Sequence, residues 1–331
     1  MYKKALVCGG HGFIGHHLAR YLKKRGYWVR TVDINDYVYG DLDVDDYVIG
    51  DLCDAETCDW VTRGPDGKPI DECYQLAANM GGAGYIFTGD HDAQVMHDSA
   101  LINLNMAEAC RRNRARQIFY SSSACVYNHL LQLDPNNPGL KEDMAYPAFP
   151  DSVYGWEKLC SEQLWLSYAR NFGMNVRIAR FHNVFGMEGS WDNGKEKSPA
   201  AVCRKVARAK DGDSIEIWGD GEQTRSFLYI DECLEGIRRF MDSDFAGPLN
   251  IGSDEIISIN NLVEMAKDIA GKPNITVNHV PGPLGVRGRP SDNILIKEKL
   301  GWAPSRSLRE GMEKLYAWIE EQIRTGKLDE K

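Results

Sequence analysis

The sequence has no long apolar run, no surplus of basic residues and no ordered set of metal-binding side chains. Each absence removes a class of function. Lys and Arg number 39 against 48 Asp and Glu, a net charge of −9. A global basic field for nucleic acid is therefore excluded, and an anionic ligand must be held by a local group of cations. No apolar stretch approaches membrane-spanning length, so no membrane partner is expected. The nine cysteines have no regular spacing. Cys53 and Cys58 lack a second pair or a histidine partner, so no metal is expected and the thiols read as the reduced residues of a cytoplasmic protein. The chain starts straight into a strand with no apolar leader, which fits the same location. His16, His17, His91 and His97 show no ligand spacing and read as structural or surface residues. Internal repeats and low-complexity tracts are absent too.

What is present is a rhythm of strands and helices. At 331 residues with 43% hydrophobic content, the chain exceeds a single small core and predicts one large domain with a smaller lobe. Apolar runs at Lys3–Gly9, Tyr27–Asp33, Asp46–Leu52, Glu72–Ala78, Arg116–Ser123 and Met174–Phe181 read as strands. Helical patterns cover Phe13–Gly26, His91–Arg112 and Val153–Asn171. This alternation predicts an α/β fold, a Rossmann-type doubly wound parallel sheet. After about Phe185 the rhythm breaks into the polar loop Gly186–Pro199. The short strands Ser214–Gly219, Pro248–Ser253 and Ile275–Val280 then mix with the helices Asn260–Gly271 and Ser307–Arg324, which predicts a smaller C-terminal α/β lobe with Trp302 in its core. Thr62–Asp71 reads as a surface loop and Gly326–Lys331 as a solvated tail.

The stretch CGGHGFIG (Cys8–Gly15) spaces Gly9, Gly12 and Gly15 three apart between the first strand and the first helix. One glycine makes the tight turn, one lets the backbone approach a pyrophosphate, and one allows close helix–strand packing; the helix that Phe13 and Ile14 open offers N–H donors. Asp33 ends the second strand where an acid meets ribose hydroxyls, and its charge repels a 2′-phosphate, so NAD is favoured over NADP. Asp51, after the third strand, is placed to reach the adenine. The plain alternative for Asp33 is a strand-end cap.

In YGWEK, Tyr154 and Lys158 stand four apart on one helix face, where a cation one turn away lowers a phenol's pKa and readies it as a base for an alcohol proton. Ser123 is placed to share that proton. In order along the chain, the glycine triplet, Ser123, Tyr154, Lys158 and the segment Trp218–Glu232 (WGDGEQTRSFLYIDE) match the motifs of the extended short-chain dehydrogenase/reductase family, which the sequence resembles over nearly its whole length. Members of that family act on nucleotide sugars. The segments LAANMGGAGYI, SSSACVY, RFHNVFG, GKEKSPAAVCRK and PGPLGVRGRPSDN are similar to those of members that take GDP-sugars. The resemblance implies a tightly held NAD, a GDP-sugar substrate and a homodimer, with the helices near His91–Arg112 and Val153–Asn171 packed across a two-fold axis. It divides the chain into an NAD-binding domain, 1–185, to which later segments return, and a lobe, 186–331, that mainly binds the nucleotide sugar.

Cys125 by itself reads as small core filler, since cysteine is often buried. The resemblance gives it a second reading. A 4,6-dehydratase commonly follows its hydroxyl residue with Asp-Glu, where this chain has Ala124 and Cys125; a 4-epimerase needs no acid or base beyond the tyrosine. A double inversion does: oxidation at C4 acidifies C3 and C5, and each proton leaves one face of the ring and returns on the other. A thiol and an ammonium suit that work. The resemblance makes Cys125 and Lys197 the pair, with Lys197 opposite the thiol; spacing alone does not separate Lys197 from Lys195. The rival readings are a 4-epimerase, a 4,6-dehydratase, or a non-catalytic NAD-sensing protein. For the diphosphate the candidate cations are Lys205, Arg225 and Arg289, with Arg287 an equal alternative to Arg289. Gly81 and Gly82, Asn183, Glu196 and Gln223 complete the expected substrate contacts.

Overall fold

The computed structural model describes residues 2–327, so most of the expected C-terminal tail lies outside the described residues. Seven strands form one parallel sheet: β1 Lys4–Cys8, β2 Trp28–Asp33, β3 Asp46–Ile49, β4 Glu72–Gln75, β5 Gln117–Ser123, β6 Val176–Phe181 and a last strand, Leu249–Ile251. Starting from Leu249–Ile251, the order is β6, β5, β4, β1, β2, β3. Every residue of β1 and β4 is buried, as both faces of a central parallel strand must be, whereas the edge strand β3 alternates. The chain winds outward from β1 through β2 and β3, then in the opposite direction from β4. The crevice at the carboxyl ends of β1 and β4 is thus the topological switch point where open α/β sheets take their ligands.

The helix Val153–Phe172 carries the Tyr–Lys pair. Ser152 caps its start, its Oγ accepting from the Gly155 N–H at 3.2 Å, and Gly173 ends it in the left-handed region at φ 67°. Buried polar contacts fix its register. Asn103 of the neighbouring helix Asp92–Arg112 donates to Glu157 at 3.2 Å and accepts from the Trp165 indole at 3.1 Å. Glu162 takes Ser122 of β5 at 2.5 Å and both Nε (2.9 Å) and Nη2 (2.7 Å) of Arg180. The serine-rich end of β5 is therefore tied directly to this helix.

The smaller lobe pairs Ser214–Trp218 in parallel with Thr276–Val280, and sets Thr224–Ser226 between Ile256–Ser258 and Gly288–Arg289. Its helices Ser198–Arg208, Ile259–Ala270 and Leu308–Arg324 share one continuous apolar core with one face of the main sheet. Two expectations change here. The strand within Pro248–Ser253 belongs to the main sheet, paired in parallel with β6, because a three-residue run carries no sign of which sheet completes it. Trp302 packs against Gly236 in the helix Ile230–Asp242 and lies on the core that the lobe shares with the main sheet, so that core is not the lobe's own. Among the described residues, no helix is long and apolar enough to cross a membrane.

Candidate active site

A cavity of about 1170 Å³ runs from the glycine loop to the smaller lobe, and every residue singled out from the sequence for catalysis or binding, Arg287 excepted, lines it. At its cofactor end Gly9 turns at φ +71°, and a Cβ on Gly15 would stand 2.0 Å from the Gly9 carbonyl oxygen. Gly12 caps the helix Phe13–Lys23 without a side chain, which leaves the first N–H groups facing the cavity. Asp33 accepts from the His11 N–H at 3.2 Å and the Asn35 N–H at 3.1 Å. Asp51 accepts from the Cys53 N–H at 2.8 Å. Open amides, a close-packed glycine loop and a carboxylate at the end of β2 fit a dinucleotide with free ribose hydroxyls.

Beyond β5, Ser123 caps the short turn Ala124–Val126, and its Oγ accepts from the Cys125 N–H at 3.2 Å. Tyr154 and Lys158 share a helix face as expected, but their electrostatics differ from the expectation. The Lys158 ammonium donates to the Ser121 carbonyl at 3.0 Å and stands 5.7 Å from the Tyr154 ring centroid. Burial pushes the Tyr154 phenol upward, the charges of Cys125 and Glu157 add to this, and only the Ser123 hydroxyl opposes it. Helical spacing could not show that the lysine turns toward Ser121. Burial likewise lowers Lys158, against the pull of Glu157 and Glu162.

The Cys125 side chain is half-buried: it packs against the apolar cluster of Ile86, Val95 and Tyr154 and also lines the cavity. A Cβ at Gly155 would stand 2.2 Å from the Cys125 carbonyl oxygen, so the foot of the Tyr–Lys helix rests on the cysteine backbone. Lys197 approaches from the other lobe as the residue before the helix Ser198–Arg208. Burial lowers its pKa, while the Cys125 and Cys233 charges pull it up. The loop holding Gly82 closes on this segment: a Cβ there would lie 2.4 Å from the Glu196 carbonyl oxygen. Lys195 also lines the cavity but stacks over Tyr85, 5.2 Å from its centroid.

The cations divide. Arg225 is half-buried, gives its donors to the Thr224, Leu284 and Val286 carbonyls, and has no carboxylate in ion-pair range among the described residues. Burial and neighbouring Arg289 bring its pKa down to about 9. Gln223 leaves its buried Oε1 without a hydrogen-bond partner among the described residues, and Lys205 donates to the Glu216 carbonyl at 2.5 Å. Both line the cavity, as Arg225 does. Arg287 lies outside the cavity, paired with Asp220 at 2.8 Å. Arg289 lines it with its donors already engaged: Nε on Gln132 at 2.5 Å, Nη2 on Asp151 at 2.5 Å and Nη1 on the Cys125 sulfur at 3.0 Å. Asn183 sits at φ 38° and donates to the Ser226 carbonyl at 3.0 Å.

Sequence reasoning missed Asp151 and Gln132, whose partner Arg289 lies 138 and 157 residues away. It also missed that His16, His17 and Glu188 bring ligand atoms within 4.8 Å of one another. That carboxylate is taken by Arg20 at 2.6 Å and His16 at 3.0 Å, and His17 meets the Met187 carbonyl at 3.0 Å.

The profile of the NAD dependent epimerase/dehydratase family matches residues 5–252. A GDP-mannose 3,5-epimerase of Arabidopsis thaliana is 46% identical over 97% of this chain and 83% of its own length. Among solved structures, the UDP-glucose 4-epimerase of Thermotoga maritima with UDP-glucose superposes with a TM-score of 0.84 at 23% identity, over 97% of this chain and 99% of that one. The UDP-glucuronic acid 4-epimerase of Bacillus cereus, in complex with UDP-glucuronic acid and NAD, gives 0.78 at 26% identity, over 96% of this chain and 99% of that one.

Proposed function

The chain belongs to the NAD dependent epimerase/dehydratase family, and we propose that it epimerises GDP-mannose at C3 and C5, giving GDP-L-galactose, GDP-L-gulose or both. The observation that carries this reading is the meeting of Cys125 and Lys197, from two lobes, in the cavity that Ser123 and Tyr154 also line. Bound NAD supplies the acceptor, and later the donor, of the C4 hydride.

The residues supply the proton chemistry. Gly9, Gly12 and Gly15 let the backbone close on the pyrophosphate, and Asp33 takes the ribose hydroxyls. Tyr154 exchanges a proton with the C4 oxygen. Its buried, protonated form hands the proton over during re-reduction, and the Ser123 hydroxyl supports the phenolate that takes it during oxidation. With C4 as a ketone, Cys125 and Lys197 remove and return the protons of C3 and C5 from opposite sides. The lowered pKa of Lys197 favours the neutral amine that can act as base. Ser123 and Tyr154 donate to the enolate oxygen. Arg225, with no carboxylate in ion-pair range among the described residues, draws in the diphosphate together with Lys205, while the unpaired Gln223 oxygen accepts from a hydroxyl or N–H of the nucleotide sugar.

The homodimer belongs to this reading. The helices Asp92–Arg112 and Val153–Phe172 lie side by side and expose Leu104, Trp156 and Phe172, which supports a two-fold contact through them. A cytoplasmic setting fits nine free thiols.

Incubation with GDP-mannose in heavy water tests the reaction. Deuterium is expected at both C3 and C5 of the recovered sugar. Inversion at C4 with no exchange at either carbon would instead give the 4-epimerase reading.

A further inference from the structure

The thiol of Cys125 is held by more than its own turn. Arg289 reaches it from the Gly288–Arg289 strand of the smaller lobe, with its Nη1 3.0 Å from Sγ. Two further contacts fix that guanidinium. Its Nε donates to Gln132 Oε1 at 2.5 Å, and the Gln132 amide is itself anchored on the Tyr127 and Asn128 carbonyls at 3.1 and 3.2 Å. Its Nη2 donates to Asp151 at 2.5 Å, in an ion pair whose side chains are 6% and 4% exposed. The other Asp151 oxygen accepts from the Ser152 hydroxyl at 3.3 Å, at the foot of the helix that carries Tyr154.

We propose that Asp151 is a positioning residue for the acid–base cysteine, clamping Arg289 so that one guanidinium N–H stays on the Cys125 sulfur while the net charge beside it stays near zero. This deepens the epimerase reading and rests on it. Without the carboxylate, a buried guanidinium next to Arg225 faces a like charge, and the thiolate becomes its only nearby counter-charge. The charged groups facing Cys125 are Arg289 and Arg225 from the lobe strands, Lys197 from the opposite loop, and Tyr154 and Lys158 from the helix, with Asp151 acting through Arg289. Only Arg289 makes a hydrogen bond to the sulfur among the described residues.

The experiment follows iodoacetamide alkylation of Cys125 against pH in the full-length, NAD-loaded protein, read on the Cys125 peptide by mass spectrometry. Asp151→Asn is expected to lower the midpoint by about one pH unit, since the guanidinium loses its counter-charge. Arg289→Gln is expected to raise it by about one unit or more, since Asp151 is then the unpaired neighbour. The pH profile of C3 and C5 exchange should move in the same directions. The double variant Asp151→Asn/Arg289→Gln removes both charges together and carries the test if a single variant fails to fold. Its midpoint should lie above the parent and below Arg289→Gln. Single-variant midpoints equal to the parent, an upward move in Asp151→Asn, or a double variant at or below the parent would overturn the proposal. Alkylation needs no sugar, so its failure leaves the epimerase reading standing, and absent exchange in the parent would remove that reading without touching the clamp.

Discussion

The cofactor end and the sugar end of the cavity are made in different ways. The first is local and largely backbone: Gly9, Gly12, Gly15 and Asp33 fall within one strand–helix–strand unit, and the ligand-facing atoms are amides and one carboxylate. The second is assembled from side chains that are far apart in sequence and come from both lobes: Cys125, Tyr154, Lys197, Arg225 and Arg289. A backbone cradle tolerates no added atom and makes few chemical distinctions. A side-chain constellation can change chemistry residue by residue on the same frame.

The largest expected effect breaks the two ends apart. Cys125→Ala should reduce deuterium exchange at C3 and C5 by about a thousandfold or more, within the range of a lost acid or base, while NAD stays bound. Exchange at the parent rate would return the cysteine to a packing role. Gly15→Ala should do the reverse. The added Cβ, 2.0 Å from the Gly9 carbonyl oxygen, must move backbone. A loss of about 1–3 kcal/mol in unfolding free energy is expected, with NAD affinity, by fluorescence titration, falling more than Cys125→Ala makes it fall. The smallest effect separates neighbours: Arg287→Ala should leave KM for GDP-mannose within about twofold of the parent, as for a surface change away from the site. A large rise would mean that Arg287 leaves Asp220 to hold the diphosphate.

The same division governs what could be read from the sequence. The glycine spacing, the acid at Asp33 and the strand–helix alternation are short-range patterns, and they survive in the structure to within a few residues. Helical spacing placed Tyr154 and Lys158 on one face but not the direction of the Lys158 ammonium, which depends on the Ser121 carbonyl of another strand. The Leu249–Ile251 strand was assigned to the wrong sheet because its partner β6 lies some seventy residues earlier. Nothing in the sequence joins Asp151 to Arg289, because a buried ion pair leaves no periodicity. Family resemblance names Cys125 and Lys197; spacing does not separate Lys197 from Lys195, and both lysines line the cavity.

Lys197 precedes a helix of the smaller lobe, whereas Cys125 follows a strand of the main sheet. On the proposed reading, the groups on either side of the sugar ring are carried by different lobes, and their separation is set by how the two lobes pack through the core they share. Substitutions in the shared apolar core, well away from the substrate, are therefore the place to look for control over which sugar leaves.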